Sequence, residues 1–115
     1  MTAGDTLIQV VTTCATRDEA DQIADALVAE RLAACVQLHG PIASVYRWQG
    51  QVERAEEWLL TVKTTQEQFA AVADAIRQRH SYQVPQIIAL PIVEGAADYV
   101  AWLRQQVAPR VDDAD

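Results

Sequence analysis

Apolar and polar positions along this chain switch between a period of two and a period of about three and a half, and the switches mark its elements. Leu7–Cys14 (LIQVVTTC) is β-branched and apolar, the pattern of a buried strand. Thr16 with Glu19 three residues later forms a capping box and predicts a helix to about Arg31, with Ala20, Ile23, Ala24, Leu27 and Val28 on its inward face. Ala34–Trp48 reads as an extended strand broken once at Gly40–Pro41, where a bulge or bend is expected. Gly50 turns the chain, and Val52–Thr64 returns as a second long strand, giving a hairpin. Thr65 and Gln68 repeat the capping pattern before a helix to about Arg79, with Phe69, Val72, Ala73 and Ile76 inward. Val84–Val93 predicts a fourth strand carrying two prolines. Ala97–Val107 predicts a last helix with Tyr99, Val100, Leu103 and Val107 on one stripe, stopping before Pro109.

The order is βαββαβ plus a C-terminal helix, an α+β chain. Right-handed βαβ crossovers then give a ferredoxin-like antiparallel sheet in strand order 4-1-3-2. The prolines agree, because a central strand cannot spare an N–H. Pro41, Pro85 and Pro91 fall in strands two and four, the predicted edges, and none falls in strands one and three. Residues 1–115 read as one domain with a core of about 7–107, and ragged ends at Met1–Asp5 and in the acidic tail 109–115. Each hairpin arm is about 13 residues, roughly 40 Å, where a domain of this size has a radius of only ~13 Å. Long exposed edges invite pairing with another chain, so a closed homo-oligomer is expected.

Composition narrows the function classes. Nine basic residues against sixteen acidic ones give a net charge of −7, which argues against a nucleic-acid backbone or an anionic membrane as partner. No stretch nears the roughly 20 apolar residues of a membrane span; the longest, Ile87–Val93, is interrupted by Pro91. The N-terminal MTAGD is acidic and the first basic residue is Arg17, so no secretory leader is expected and the chain reads as cytoplasmic. Two cysteines, Cys14 and Cys35, are too few for a disulfide framework.

Hydrolase and zinc patterns are missing. Ser44 and Ser81 lie in no nucleophile elbow, the four glycines are dispersed, and no Cys-x-x-Cys or His-Glu-x-x-His spacing occurs. The topology nevertheless brings Cys14, at the end of strand one, to the same end of the domain as His80 and Tyr82. A thiolate with an imidazole suits soft or borderline metals such as copper or zinc. Cys14 as a small buried hydrophobe and His80 as a helix C-terminal partner stand beside that reading. His39, beside Gly40–Pro41, reads as a loop histidine. Cys35 falls at the opposite end, too far from Cys14 for a disulfide.

A second group lies on the hairpin. Alternation along strand three puts Glu53, Glu57 and Lys63 on one face and Val52, Trp58, Leu60 and Val62 on the other, while Tyr46 and Trp48 share a face of strand two. Aromatics beside carboxylates and a lysine line a ligand cleft or anchor a subunit interface, and both readings stay open. An acylphosphatase-like hydrolase would need an arginine and a glycine-rich loop after strand one. Thr12–Arg17 supplies the arginine and no glycine. RNA binding fails too, because the central strands lack stacking aromatics.

RLAACVQL (31–38), SVYRWQGQVE (44–53) leading to KTT (63–65), HSYQVPQIIALPI (80–92) and DYVAW (98–102) together resemble the CutA divalent-cation tolerance family, in order and over about Leu7 to Val107. The resemblance implies a ferredoxin-like homotrimer related in architecture to PII-type signal proteins. It also implies a role in heavy-metal tolerance, copper binding in some members, and no enzymatic activity. Its proposed copper ligands are a cysteine ending strand one, matched by Cys14, and two adjacent histidines before a Tyr-x-x-Pro turn. His80 matches the second histidine, and Arg79 stands where the first would be. Gln86 follows the turn's proline where the family commonly has glutamate. Two functions are thus expected: metal binding through Cys14 and His80, or a PII-like sensor whose inter-subunit cleft carries Tyr46, Trp48, Glu53, Glu57, Lys63 and Tyr82.

Overall fold

The computed structural model describes residues 6–108; the expectations for Met1–Asp5, Pro109 and the acidic tail lie outside them. The elements are β1 (Leu7–Cys14), α1 (Arg17–Ala29), β2 (Cys35–Trp48), β3 (Gln51–Thr65), a 3-10 turn (Gln66–Gln68), α2 (Phe69–Arg79), β4 (Ile88–Pro91) and α3 (Ala97–Gln106). They form one antiparallel sheet in the order β2-β3-β1-β4, the predicted ferredoxin-like arrangement. Among the described residues no helix is long and apolar enough to cross a membrane.

Helices α1 and α2 cover one face of the sheet. Ile23, Leu27, Val72 and Ile76 meet Ile8, Val10, Leu60 and Val62 there, all fully or nearly buried. Cys14 and Trp58 belong to the same layer. A smaller core of Leu7, Ala34, Leu103 and Val107 fastens α3 near the start of β1. Arg31 (φ 59°) leaves α1 in the left-handed region, and its guanidinium bonds the carbonyls of Gln105 (2.7 Å) and Gln106 (3.1 Å) at the end of α3. Val28, expected inward, is 44% exposed, and Ala73 is only partly buried while Ala75 is buried; one residue of error at a helix's apolar margin shifts the stripe by 100°.

Two local expectations fail for identifiable reasons. The second capping box does not form: Thr65 makes no cap bond, and the Gln68 amide donates instead to the carbonyl of Ala108. The fourth strand shrinks from Val84–Val93 to Ile88–Pro91. Pro85 has no N–H for a ladder and is buried in a coil that precedes the strand. Pairing of β4 with β1 therefore covers only Ile8–Val11.

The hairpin outruns the sheet. Strand β3 has 15 residues and β1 has 8, so Gln51–Glu57 pairs with β2 alone. Gln49 (φ 50°) and Gly50 (φ 81°) close it as a two-residue turn whose central positions both need positive φ. The ribbon gives the molecule extents of 47 × 28 × 24 Å and a radius of gyration of 15.0 Å. A compact chain of this length has about 13 Å.

Strand β2 carries the expected irregularity at Gly40–Pro41, where the peptide bond is cis. His39 pairs with Leu59 but Ile42 pairs with Glu57, so β2 spends one extra residue there. Because side chains alternate with period two, the extra residue flips every later β2 side chain to the opposite face. Leu38, opposite Leu60, points at the helices, whereas Tyr46 and Trp48 point away from them. Gly40 is required by space. A Cβ there would sit 2.6 Å from Trp58 Cε3 and 3.1 Å from the Glu57 carbonyl oxygen. Gly40→Ala is expected to cost about 1–3 kcal/mol. A urea unfolding midpoint equal to the wild type would show that the Trp58 ring yields freely.

Candidate functional site

The chemistry gathers where β1, α1 and the segment after α2 meet. Cys14 ends β1 fully buried, Glu19 sits in the first turn of α1, and His80 caps α2. Cys14 Sγ lies 4.0 Å from His80 Nε2, and one ligand atom from each of Cys14, Glu19 and His80 lies within 4.8 Å of the others. The His80 side chain is completely shielded from solvent.

Each His80 nitrogen has a partner. Nε2 lies 2.7 Å from the Thr13 carbonyl, which only accepts, so Nε2 carries the proton. Nδ1 accepts the Tyr82 N–H at 3.1 Å, so the partners select a neutral imidazole. Thr13 lies beyond the reach of β4, and the histidine serves its carbonyl where a strand neighbour would otherwise stand.

Glu19 was legible in the sequence only as half of a capping box. Thr16 Oγ1 does accept the Glu19 N–H at 3.2 Å, but the carboxylate does not reach back. Its Oε1 accepts the Ser81 N–H at 2.9 Å. Its Oε2 is buried with no hydrogen-bond donor, 3.8 Å from His80 Nδ1. A carboxylate three residues after an N-cap has two possible errands, and spacing alone does not separate them.

Arg79 does not enter this group. Its guanidinium turns back to the Ala75 carbonyl (3.0 Å) and to Glu30 (3.1 Å) at the end of α1. Arg17, the arginine after β1, lies over the Trp58 ring at 5.4 Å to the centroid, a cation–π contact and not an anion cradle. Cys35 pairs with Lys63, five residues along β3 from the Trp58 that faces Cys14, or about 17 Å at the usual rise. Its thiol lies 3.4 Å from the Tyr99 hydroxyl. His39, expected in a loop, is an exposed residue of β2 paired with Leu59, because the Gly40–Pro41 irregularity is a bulge within the strand and does not end it.

On the other face of the sheet lies a cleft of about 430 Å³, bounded by Thr13, Tyr46, Trp48, Glu57, Tyr82 and Gln86 among others. Glu57 is 6% exposed and accepts the Tyr82 hydroxyl at 2.6 Å. Burial, and then that bond to a carboxylate, push the Tyr82 phenol well above its usual range. Two residues expected in the cleft are not among those bounding it. Glu53 stands opposite Tyr46 on the exposed ribbon and does not bound the cleft. Lys63 shares the face of Glu57 but lies six residues along β3, where it donates to Gln37 Oε1 at 2.7 Å. Alternation gives the face and not the distance along it.

The Cys14 thiol is pushed up to about 12 from 9.0, first by burial and then by the negative charge of Glu19. The fold therefore favours the protonated thiol. That stability is fully present below about pH 9 and is lost as pH rises toward about 12. Urea melts across this interval are expected to show a larger loss for the wild type than for Cys14→Ala. Equal losses would mean that the thiol proton contributes nothing.

Residues 8–106 match the family model described as CutA1 divalent ion tolerance protein. A divalent-cation tolerance protein CutA from Thermus thermophilus is 47% identical over 96 residues, covering 84% of this chain and 93% of that relative. Protein CutA of Homo sapiens is 41% identical over 102 residues; they cover 89% of this chain but only 56% of the human protein, so the chain spans about half of that relative's length. The crystal structure of CutA1 from Oryza sativa superimposes with a TM-score of 0.89 at 33% identity, covering 95% of this chain and all of that one.

Proposed function

Because this chain belongs to the CutA1 family of divalent ion tolerance proteins, we propose that it binds a soft or borderline metal ion, copper foremost, through Cys14, Glu19 and His80. The observation that carries the reading is the approach of a sulfur, a carboxylate oxygen and an imidazole nitrogen to within 4.8 Å of one another. The buried Glu19 Oε2, which has no donor, is the second support. A mixed S/N/O set of this kind suits copper or zinc. Arg79, paired with Glu30, adds no cation to the group.

The same hydrogen bonds set the terms of binding. A metal must displace the Cys14 proton and take one His80 nitrogen from Thr13 or Tyr82. Affinity is therefore modest and rises with pH, because protons compete for the ligands.

We read the chain as a binding protein and not an enzyme. The Cys14–His80–Glu19 line resembles a nucleophile, base and acid, but a buried thiol with a raised pKa is a poor nucleophile. The free ribbon, unpaired with β1 over Gln51–Glu57, supports a homotrimer in which neighbouring hairpins complete one another's sheets. We place it in the cytoplasm, where thiols such as Cys35 stay reduced. A second reading, a PII-like sensor, rests on the cleft of Tyr46, Trp48, Glu57 and Tyr82.

Titration of reduced, chelator-stripped protein with Cu(I) and Cu(II) is expected to give about one metal per subunit, with affinity rising with pH. Cys14→Ala and His80→Ala should each abolish it, and Glu19→Gln should weaken it. Binding that survives both alanine variants would remove the assignment. Light scattering should give about three times the 12.7 kDa chain mass. A concentration-independent monomer would defeat the trimer.

A further inference from the structure

We propose that the cleft on the outer sheet face takes a small organic cation, an alkylammonium group seated against Trp48 and Tyr46 with Glu57 as its counter-charge. The inference rests on the second reading above and gives that site a ligand class.

The carboxylate comes first. Glu57 is 6% exposed and accepts a hydrogen bond from Tyr82 at 2.6 Å. The Tyr82 hydroxyl donates that bond, so the Glu57 carboxyl stands as its acceptor at the cleft wall. Among the described residues no lysine, arginine or histidine bounds the cleft, and Glu57 has no ion pair. The nearest basic residue on its own face of β3, Lys63, is six residues away and bonded to Gln37. A buried charge without a counter-charge is costly, so the cleft favours a positive occupant.

The walls select which cation. Tyr46 and Trp48 keep 44% and 40% of their surface exposed at the cleft's lip, and ring faces attract weakly hydrated cations. Affinity for a hard divalent ion rises with the number of charged oxygen ligands, and Glu57 is the one carboxylate bounding the cleft among the described residues. Anions are repelled by Glu57. A volume of about 430 Å³ lies within the range of small-molecule sites. Gln83 and Gln86 add amide donors and acceptors for a polar tail on the ligand.

The test is titration of the full chain with tetramethylammonium and with choline, followed by the NMR shift of the Trp48 indole. Dimethylbutanol, the uncharged carbon isostere of choline, runs alongside. Saturable shifts are expected for both cations, with at least about tenfold weaker binding of the isostere. Glu57→Gln, which keeps an acceptor for Tyr82, and Trp48→Leu should each lose about tenfold, with melting curves and light scattering showing that both variants fold and assemble as the wild type does. If the isostere binds as well as choline, or Glu57→Gln binds choline unchanged, the cation assignment is overturned and the cleft remains a ligand site. If no probe moves Trp48, the cleft reading itself falls.

Discussion

One extra residue in β2 decides where the chemistry of this molecule lies. Without the bulge at Gly40–Pro41, Tyr46 and Trp48 would continue the face of Val36 and Leu38 and project above the helices. With it they join Thr13 and Glu57 on the other face, and the cleft exists. The bulge is held by close contact, since Gly40 lies against the Trp58 ring and Arg17 covers that ring beyond it. Trp58 is thus the hinge between two environments. Its own face belongs to the core, and its neighbour Glu57 belongs to the cleft.

A second constraint is backbone accounting at the end of β1. Strand β4 begins late, so Thr13 depends on a side chain to satisfy its carbonyl, and His80 supplies it. The same ring accepts from Tyr82, whose hydroxyl holds Glu57. The buried Cys14–Glu19–His80 group and the open cleft are therefore neighbours through Thr13 and Tyr82. A histidine bonded at both nitrogens is well ordered before any ion arrives, and the ion has to compete for it.

Most of the fold was legible, because strand and helix periods are written in long runs such as Leu7–Cys14 and Ala20–Leu27, and because edge strands admit prolines. Two of the misreadings share one cause: a residue type that serves two purposes. Glu19 and Gln68 both fit a capping box, yet tertiary partners (Ser81 N–H for one, the Ala108 carbonyl for the other) claim their side chains. Val84–Ile87 is as apolar as a strand, but Pro85 keeps it out of the ladder. At the site, topology was enough to bring Cys14 and His80 to one end of the domain. Lys63 shares a face with Glu57 but lies six residues along β3; a face is visible in alternation and a distance is not.

Thr6 and Ala108, the first and last described residues, both bond to the Gln66–Gln68 turn: the Thr6 carbonyl accepts the Gln66 N–H, and the Ala108 carbonyl accepts the Gln68 amide. Both therefore lie at the foot of β1, and its eight residues carry the chain about 26 Å to the end where Cys14 and His80 lie buried and the cleft opens. The molecule is oriented like a plug, with its wiring at one pole and its contacts at the other. Whatever is joined at Thr6 or Ala108 therefore stands at the pole opposite the binding groups.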